Sequence, residues 1–172
     1  MHQIRVGLLG FGRTGSIVAK EIVSDQALSL EWVCRRQLQP NLAFASHALG
    51  FDDAFAPFVA VQELNLDFLR KYPVDIVIDF SSSSSCHLYE TLAEAGIRIV
   101  SAISKYSEEE QAVIKRAGEK TAVLSSPNIT LGINWLMIAS KVLQKIVPQA
   151  DIEVVEEHFR DKREVSGTAL RL

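Results

Sequence analysis

Apolar runs of strand length alternate with segments of helical period along most of the chain. The strand candidates are Ile4–Leu9, Leu30–Cys34, Phe58–Val61, Val74–Phe80, Ile97–Val100 and Thr121–Leu124. They are rich in Ile, Val and Leu with little polar alternation, which suits parallel strands covered on both faces. Helix candidates lie between them. Gly15–Ser24 gathers Ile17, Val18, Ile22 and Val23 on one side, and Leu88–Ala95 is apolar at Leu88, Leu92 and Ala95. Ser107-Glu108-Glu109-Glu110 begins another, in which Ser107 can cap the first turn and Glu110 can reach back to it. This alternation predicts an α/β fold with a doubly wound parallel sheet and right-handed crossovers.

The pattern changes after Ser126-Pro127-Asn128. A longer helix over about Gly132–Val147 carries Ile133, Leu136, Met137, Ala139, Val142, Leu143 and Ile146, and Pro148 ends it. Its apolar face is wide, so the helix is either buried or packed on a partner. Asp151–Phe159 then alternates, with Ile152, Val154 and Glu156 on one side and Glu153, Val155 and Glu157 on the other. That is the pattern of a strand in a different, half-exposed sheet. A domain boundary is expected near Asn128, with residues 1–128 before it and 129–172 after it.

Composition narrows the class. The 172 residues are 48% apolar and 23% charged, enough for one globular domain with a substantial core. A net charge of −3 argues against nucleic acid as the main partner. No apolar run approaches the roughly 20 residues that span a bilayer. The start, Met1-His2-Gln3-Ile4-Arg5, has no signal-peptide organisation. Cys34 and Cys86 are too few for a disulfide framework or a four-cysteine zinc site. A cytoplasmic protein without a bound metal is expected.

Gly10-Phe11-Gly12-Arg13-Thr14-Gly15 follows the first strand and opens the first helix, which is the setting a G-x-G-x-x-G fingerprint requires. Gly10 permits the tight turn, Gly12 lets a pyrophosphate approach the backbone, and Gly15 lets helix and strand pack closely. The fold is then Rossmann-like, and the ligand a dinucleotide; the bland alternative is a tight turn with no ligand. The second strand ends in Cys34-Arg35-Arg36 and not in the carboxylate that usually holds a ribose 2′-hydroxyl. Two guanidiniums suit a 2′-phosphate, which favours NADPH, with NADH as the alternative. Arg35 and Arg36 could equally be solvated surface charges. Asp79-Phe80-Ser81 ends the fourth strand and should face the ligand crevice. Ser82–Ser85 are either further ligand contacts or a plain capping loop. Ser101-Ala102-Ile103-Ser104 ends the fifth strand, toward the nicotinamide end.

Near the C-terminus, Glu157-His158 runs through Lys162 to Ser166-Gly167-Thr168-Ala169. Taken alone, His158 and Lys162 read as surface polar groups. Together with the glycine loop, Asp79-Phe80-Ser81 and the stretch Ser126-Pro127-Asn128-Ile129-Thr130-Leu131-Gly132-Ile133-Asn134, they resemble the dihydrodipicolinate reductase (4-hydroxy-tetrahydrodipicolinate reductase) family of lysine and diaminopimelate biosynthesis. The resemblance covers the whole chain. It implies a nicotinamide cofactor along the glycine loop, flanked by Phe80, Ser81, Ser101, Ser104 and Asn128. It implies His158 and Lys162 as the catalytic pair, with Lys162 as proton donor after hydride transfer to an unsaturated cyclic dicarboxylate. Ser166, Gly167 and Thr168 would hold a substrate carboxylate. Residues 129–172 would begin an α+β domain, incomplete here, for substrate binding and oligomerisation.

The chain also departs from the family pattern. The family's Gly-Thr-Thr-Gly-like turn is replaced by Ser101-Ala102-Ile103-Ser104, Phe159 stands where a second His is common, and the stretch from Lys162 to Ser166 is a residue shorter and lacks the usual Pro. The chain ends at Leu172, where the family's substrate domain continues. Two further classes therefore stand beside a reductase: a nucleotide-binding, catalytically impaired module derived from the family, and another dehydrogenase of amino or imino dicarboxylates. The faces of Gly132–Val147 and of Ile152/Val154 lead us to expect a homo-oligomer formed through residues 132–160.

Overall fold

Along the first strand the side chains divide between two cores. Val6 and Leu8 enter one, Leu9 enters the other, and all three are buried. This two-sided burial is what a strand inside a covered sheet needs, and each such fully buried aliphatic side chain contributes about 1.5–3 kcal/mol. The computed structural model describes residues 3–153, 155 and 157. In chain order its elements are β1 (Ile4–Leu9), α1 (Arg13–Ser24), β2 (Leu28–Arg35), α2 (Ala45–Ala48), β3 (Phe58–Ala60), α3 (Leu66–Lys71), β4 (Ile76–Asp79), α4 (Tyr89–Glu94), β5 (Arg98–Ser101), α5 (Glu108–Gly118), β6 (Val123–Ser125) and α6 (Leu131–Ile146). Short 3-10 turns cover Val61–Glu63 and Ser83–Leu88.

The strands form one parallel sheet in the order β3-β2-β1-β4-β5-β6. From α1 and α2, Ala19, Ile22 and Ala45 pack on one face with Val6, Leu8 and Val33. From α3, α4 and α5, Leu69, Leu92 and Ala117 pack on the other with Trp32 and Val77. The order reverses between β1 and β4, so the loops after these strands diverge and leave a crevice at their C-terminal ends.

Local chemistry fixes the ends of several elements. Ser107 Oγ accepts the Glu110 N–H at 3.2 Å while the Glu110 carboxylate accepts the Ser107 N–H at 2.8 Å, the reciprocal cap expected from the sequence. Asn65 caps α3 by accepting the Phe68 N–H at 3.0 Å. Gly7 has a packing reason to be glycine: a Cβ there would lie 2.4 Å from the ring of Trp32, its neighbour on β2. Trp32 is fully buried, and its indole N–H donates to the Tyr72 carbonyl at 3.1 Å.

Beyond β6 one of the two alternatives for the long helix is settled and the expected strand does not form among the described residues. No residue of α6 is buried, and Leu131, Trp135, Ile138 and Ile146 are among its exposed apolar side chains. The sheet and its covering helices close without this helix, so the wide apolar face finds no cover among the described residues. The strand expected over 151–159 is also absent where it can be judged: residues 151–153, 155 and 157 lie in no strand. Alternation yields a strand only where a neighbouring backbone completes the ladder, and no described segment pairs there. The rest of that range lies outside the described residues. Among the described residues no helix is long and apolar enough to cross a membrane.

Candidate functional site

The glycine loop is built around two different constraints. Gly10 has φ +90°, and a Cβ on it would sit 2.7 Å from the Ser81 Cα, so the loops after β1 and β4 touch here. Its N–H donates to the Cys34 carbonyl at 2.9 Å, which ties the turn to the end of β2. A Cβ on Gly15 would come within 2.3 Å of the Gly10 carbonyl oxygen, so helix and turn pack as the fingerprint requires. Gly12 meets nothing within 4 Å. Its lack of a side chain serves no internal contact and leaves room for a ligand. Gly12 is also the N-cap of α1 and no side chain caps that helix, so first-turn N–H groups remain for an anion.

Two clefts open on either side of this turn. One, of about 600 Å³, is bounded by Gly12 and Phe11 of the turn, Arg35 and Arg36 at the end of β2, and Ser84 and His87 after β4. The Arg35 guanidinium lies 4.7 Å from the centroid of Phe58 and 5.8 Å from that of Phe11, and the two rings meet edge to face. Stacking uses the flat face of the guanidinium and leaves its in-plane N–H donors for a ligand. Arg36 donates to the Ser82 hydroxyl at 3.3 Å across the cleft. Arg35 is half-buried against the two rings, and Arg36 is exposed with this one side-chain contact. Cys34 also lines the cleft, and burial, reinforced by Asp79 and Glu63, pushes its thiol up to about 12, so it is a neutral wall.

The second cleft, of about 770 Å³, lies over the ends of β4 and β5 and is bounded by Thr14, Phe80, Ile103, Ser104, Lys105 and Glu110. Ser81 and Ser82 line both clefts, so the two are halves of one crevice across the switch point. The Ser107 N–H and the Ser83 hydroxyl hold the Glu110 carboxyl below its usual range.

A buried network supports the shared wall. Asp79, with no exposed surface, accepts the Ser81 N–H at 2.8 Å, the Ser81 hydroxyl at 2.6 Å, the Tyr89 hydroxyl at 2.8 Å and the Ser85 hydroxyl. Tyr89 lies 3.0 Å from the Tyr106 hydroxyl, which in turn lies 2.6 Å from Ser101 Oγ. Each hydroxyl carries one proton, so donation runs one way, from Ser101 through Tyr106 and Tyr89 to Asp79. The Ile103 N–H extends this line to the loop after β5, at 3.4 Å from Ser101 Oγ. Burial first, and the Asp79 charge second, push the Tyr89 hydroxyl well above its usual value; burial does the same for Tyr106.

The structure brings together most of the residues singled out in the sequence. Phe11, Gly12, Thr14, Arg35, Arg36, Phe80, Ser81 and Ser104 line the crevice. Ser101 does not: it is fully buried with its hydroxyl on Tyr106, and it has no surface to offer a cofactor. Asn128 is buried as well, with its carbonyl accepting from Ser126 and Asn134, and it lines neither cleft. Arg13 is exposed at the start of α1 but is not on a cleft wall. Ser81, Ser82, Ser84 and Ser85 all line the first cleft, and of these Ser81 and Ser85 also brace Asp79. Lys105, His87 and the two tyrosines are additions that no motif announced. His158, Lys162, Ser166, Gly167 and Thr168 lie outside the described residues. Among the described residues no group of three or more His, Cys, Asp or Glu is placed to hold a metal ion.

The family model and the curated relatives agree on one family. Residues 4–129 match the family model described as dihydrodipicolinate reductase, N-terminus. The chain is 32% identical to the 4-hydroxy-tetrahydrodipicolinate reductase of Methylococcus capsulatus, over 98% of this chain and 63% of that protein. It is 33% identical to the enzyme of the same name from Archaeoglobus fulgidus, again over 98% of this chain and 63% of that protein. The chain thus spans less than two thirds of the length of these curated relatives. Among solved structures it is similar in fold to the dipicolinate-bound dihydrodipicolinate reductase of Paenisporosarcina sp. TG-14, with a TM-score of 0.60 at 17% identity over 83% of this chain and 54% of that one.

Proposed function

The chain belongs to the dihydrodipicolinate reductase family, and on that premise we propose that it is a nicotinamide-dependent reductase of an unsaturated cyclic dicarboxylate, with NADPH as the preferred cofactor. The observation that carries this is the single crevice across the ends of β2, β1, β4 and β5, with Gly12 leaving its middle open to a diphosphate. The adenosine half falls to the cleft of Arg35 and Arg36, where permanent positive charge and in-plane donors match a 2′-phosphate. The nicotinamide half falls to the cleft of Thr14, Phe80 and Ser104. A reduced nicotinamide bound there supplies hydride to the substrate ring. The chain's own task is to hold the dicarboxylate and deliver a proton to the neighbouring ring atom. His158 and Lys162 are the groups we assign to this, with the Lys162 ammonium both attracting a dianion and giving up the proton. Ser166-Gly167-Thr168 offers hydroxyls and N–H groups for one carboxylate. Residues 129–172 then begin the substrate and oligomerisation domain of a homo-oligomeric, cytoplasmic enzyme.

The test is turnover by the purified chain, followed as NADPH oxidation with freshly generated cyclic substrate. Turnover is expected. Lys162→Ala should lower kcat by about 10²–10⁴-fold, as loss of a positioned general acid does, while leaving NADPH affinity unchanged. If NADPH binds and no substrate turns over, the chain is a nucleotide-binding module derived from this family. If the Lys162→Ala variant is as active as the parent, Lys162 is not the proton donor.

A further inference from the structure

One wall of the second cleft is the loop that runs from Ser101, the last residue of β5, to Tyr106, just before the Ser107 N-cap of α5. It contains no glycine, and none of its residues takes a positive φ. Its shape is therefore set by what its ends are tied to and not by a special turn. At its base the Tyr106 hydroxyl lies 2.6 Å from Ser101 Oγ, so a side-chain bond joins the two ends. The Ala102 N–H donates to the Asp79 carbonyl at 3.0 Å, and the Ile103 N–H to Ser101 Oγ at 3.4 Å. On the α5 side, Gln111 Nε2 donates to the Tyr106 carbonyl at 3.2 Å. Ile103, Ser104 and Lys105 line the cleft, and Ser104 and Lys105 are exposed. The loop is thus fastened from beneath, and its tip is left to a ligand.

We infer that Tyr106 is a positioning residue for the nicotinamide end of the cofactor: by bridging Ser101 to the Asp79–Tyr89 pair, it holds the loop 102–105 in the shape that receives that half. This rests on the assignment of the nicotinamide half to the second cleft made above. Tyr106 does not line that cleft, so it acts through the loop. The Asp79 carboxylate only accepts, so Tyr89 gives its proton to it and must accept from Tyr106, which must in turn accept from Ser101. A buried acceptor therefore sets the direction of the whole line and holds the Tyr106 hydroxyl in one place. The Tyr106 ring packs on the core beneath, so a phenylalanine keeps the packing and loses only the bridge. In Tyr106→Phe the donations of Tyr89, Ser81 and Ser85 to Asp79 remain, and the wall shared by the two clefts stays braced. None of the loop residues 102–105 lines the cleft of Arg35 and Arg36. Loosening the loop should accordingly cost affinity for the nicotinamide half and spare the adenosine half.

The experiment measures dissociation constants by calorimetry with the full chain, for NADPH and for adenosine 2′,5′-bisphosphate, which carries the 2′-phosphate and lacks the nicotinamide half. The nicotinamide gain is the Kd of the fragment over the Kd of NADPH. In Tyr106→Phe this gain should fall roughly three- to tenfold, the size of one lost hydrogen bond, while the Kd of the fragment stays within about twofold of the parent. Ser101→Ala breaks the same bridge from its other end and should do the same, and the double variant should lose no more than the worse single one. A variant that does not fold binds neither ligand, and the other variant then carries the test. A fragment Kd that rises in step with that of NADPH means that Tyr106 supports the whole domain, and it overturns the inference. An unchanged gain in both variants overturns it too, as does a double variant whose loss is the product of the single ones, since the two hydroxyls then act independently. A parent that binds the fragment as tightly as NADPH removes the nicotinamide half from the second cleft, and the inference with it, while the adenosine assignment stands. If the parent binds neither ligand, the cofactor reading itself fails and the inference falls with it.

Discussion

Gly10 and Gly12 stand two residues apart in one turn and meet opposite surroundings. Gly10 needs its left-handed φ of +90° and has the Ser81 backbone against it. Gly12 has an ordinary negative φ and empty space. Gly10→Ala should therefore destabilise the fold by on the order of 2–4 kcal/mol, while Gly12→Ala should cost less than about 1 kcal/mol, as for a modest change of N-cap. Urea denaturation of the two variants separates them, and equal losses would contradict this division. The fingerprint disclosed both glycines because their spacing is set by a backbone requirement. It could not disclose Gly7, whose reason is the Trp32 ring brought over it from β2. The Asp79 network was equally hidden, since Tyr89 and Tyr106 reach Asp79 only after β4, α4 and β5 have been laid side by side. Burial leaves a signature in pH. The Cys34 thiol rises from its ordinary value near 9.0 to about 12, and the Tyr89 hydroxyl rises too. Between about pH 9 and pH 12 the unfolded chain loses these protons and the folded chain keeps them, so stability is full below that window and falls as pH rises through it. Tm measured from pH 8 upward should decline above about pH 9, and the decline should be shallower in Cys34→Ala. A slope unchanged by that substitution would exclude Cys34 as a cause.

The long elements were legible because they satisfy their own periodicity. All six strands fall where apolar runs stand in the sequence, within two residues at each end, and α1, α5 and α6 follow their capping and spacing signals. The short helices α2 and α3 were not legible, since four and six residues give a helical period too few turns to repeat. The alternating segment after Pro148 shows the opposite error, a strand pattern without a partner strand among the described residues. Most consequential is α6, which the sequence described correctly as apolar and whose burial the domain does not provide. Trp135 on this helix is 65% exposed, whereas Trp32 is buried, and these are the two tryptophans of the chain. If α6 is the association surface, a Trp32→Phe variant reports on it directly. Its Trp135 emission should shift to the blue as concentration rises through the micromolar range, and Ile138→Lys with Ile146→Lys should abolish that shift and halve or quarter the mass seen by light scattering. A clean monomer at all concentrations, with constant emission, would remove this helix as an interface.

For the whole molecule, sheet order determines what the individual residues can do. The reversal between β1 and β4 puts the glycine turn at the centre of a crevice, with two arginines and His87 at one end and Lys105, Ser104 and Phe80 at the other. Sequence alone located the centre and the basic end, because a strand, a glycine turn and a second strand end follow one another in order. It missed Lys105 and His87, which enter the crevice from loops whose path depends on the finished fold. The substrate half that we propose, His158, Lys162 and Ser166–Thr168, is an expectation from its motif and from the family resemblance. The central claim, that this crevice is a nicotinamide dinucleotide site, is tested most directly by calorimetric titration of the chain and of Gly12→Ala with NADPH. Saturable binding of one NADPH per chain is expected, weakened by roughly tenfold or more in a Gly12→Ala variant that remains folded. Absence of saturable binding, or equal affinity in the two proteins, would contradict it.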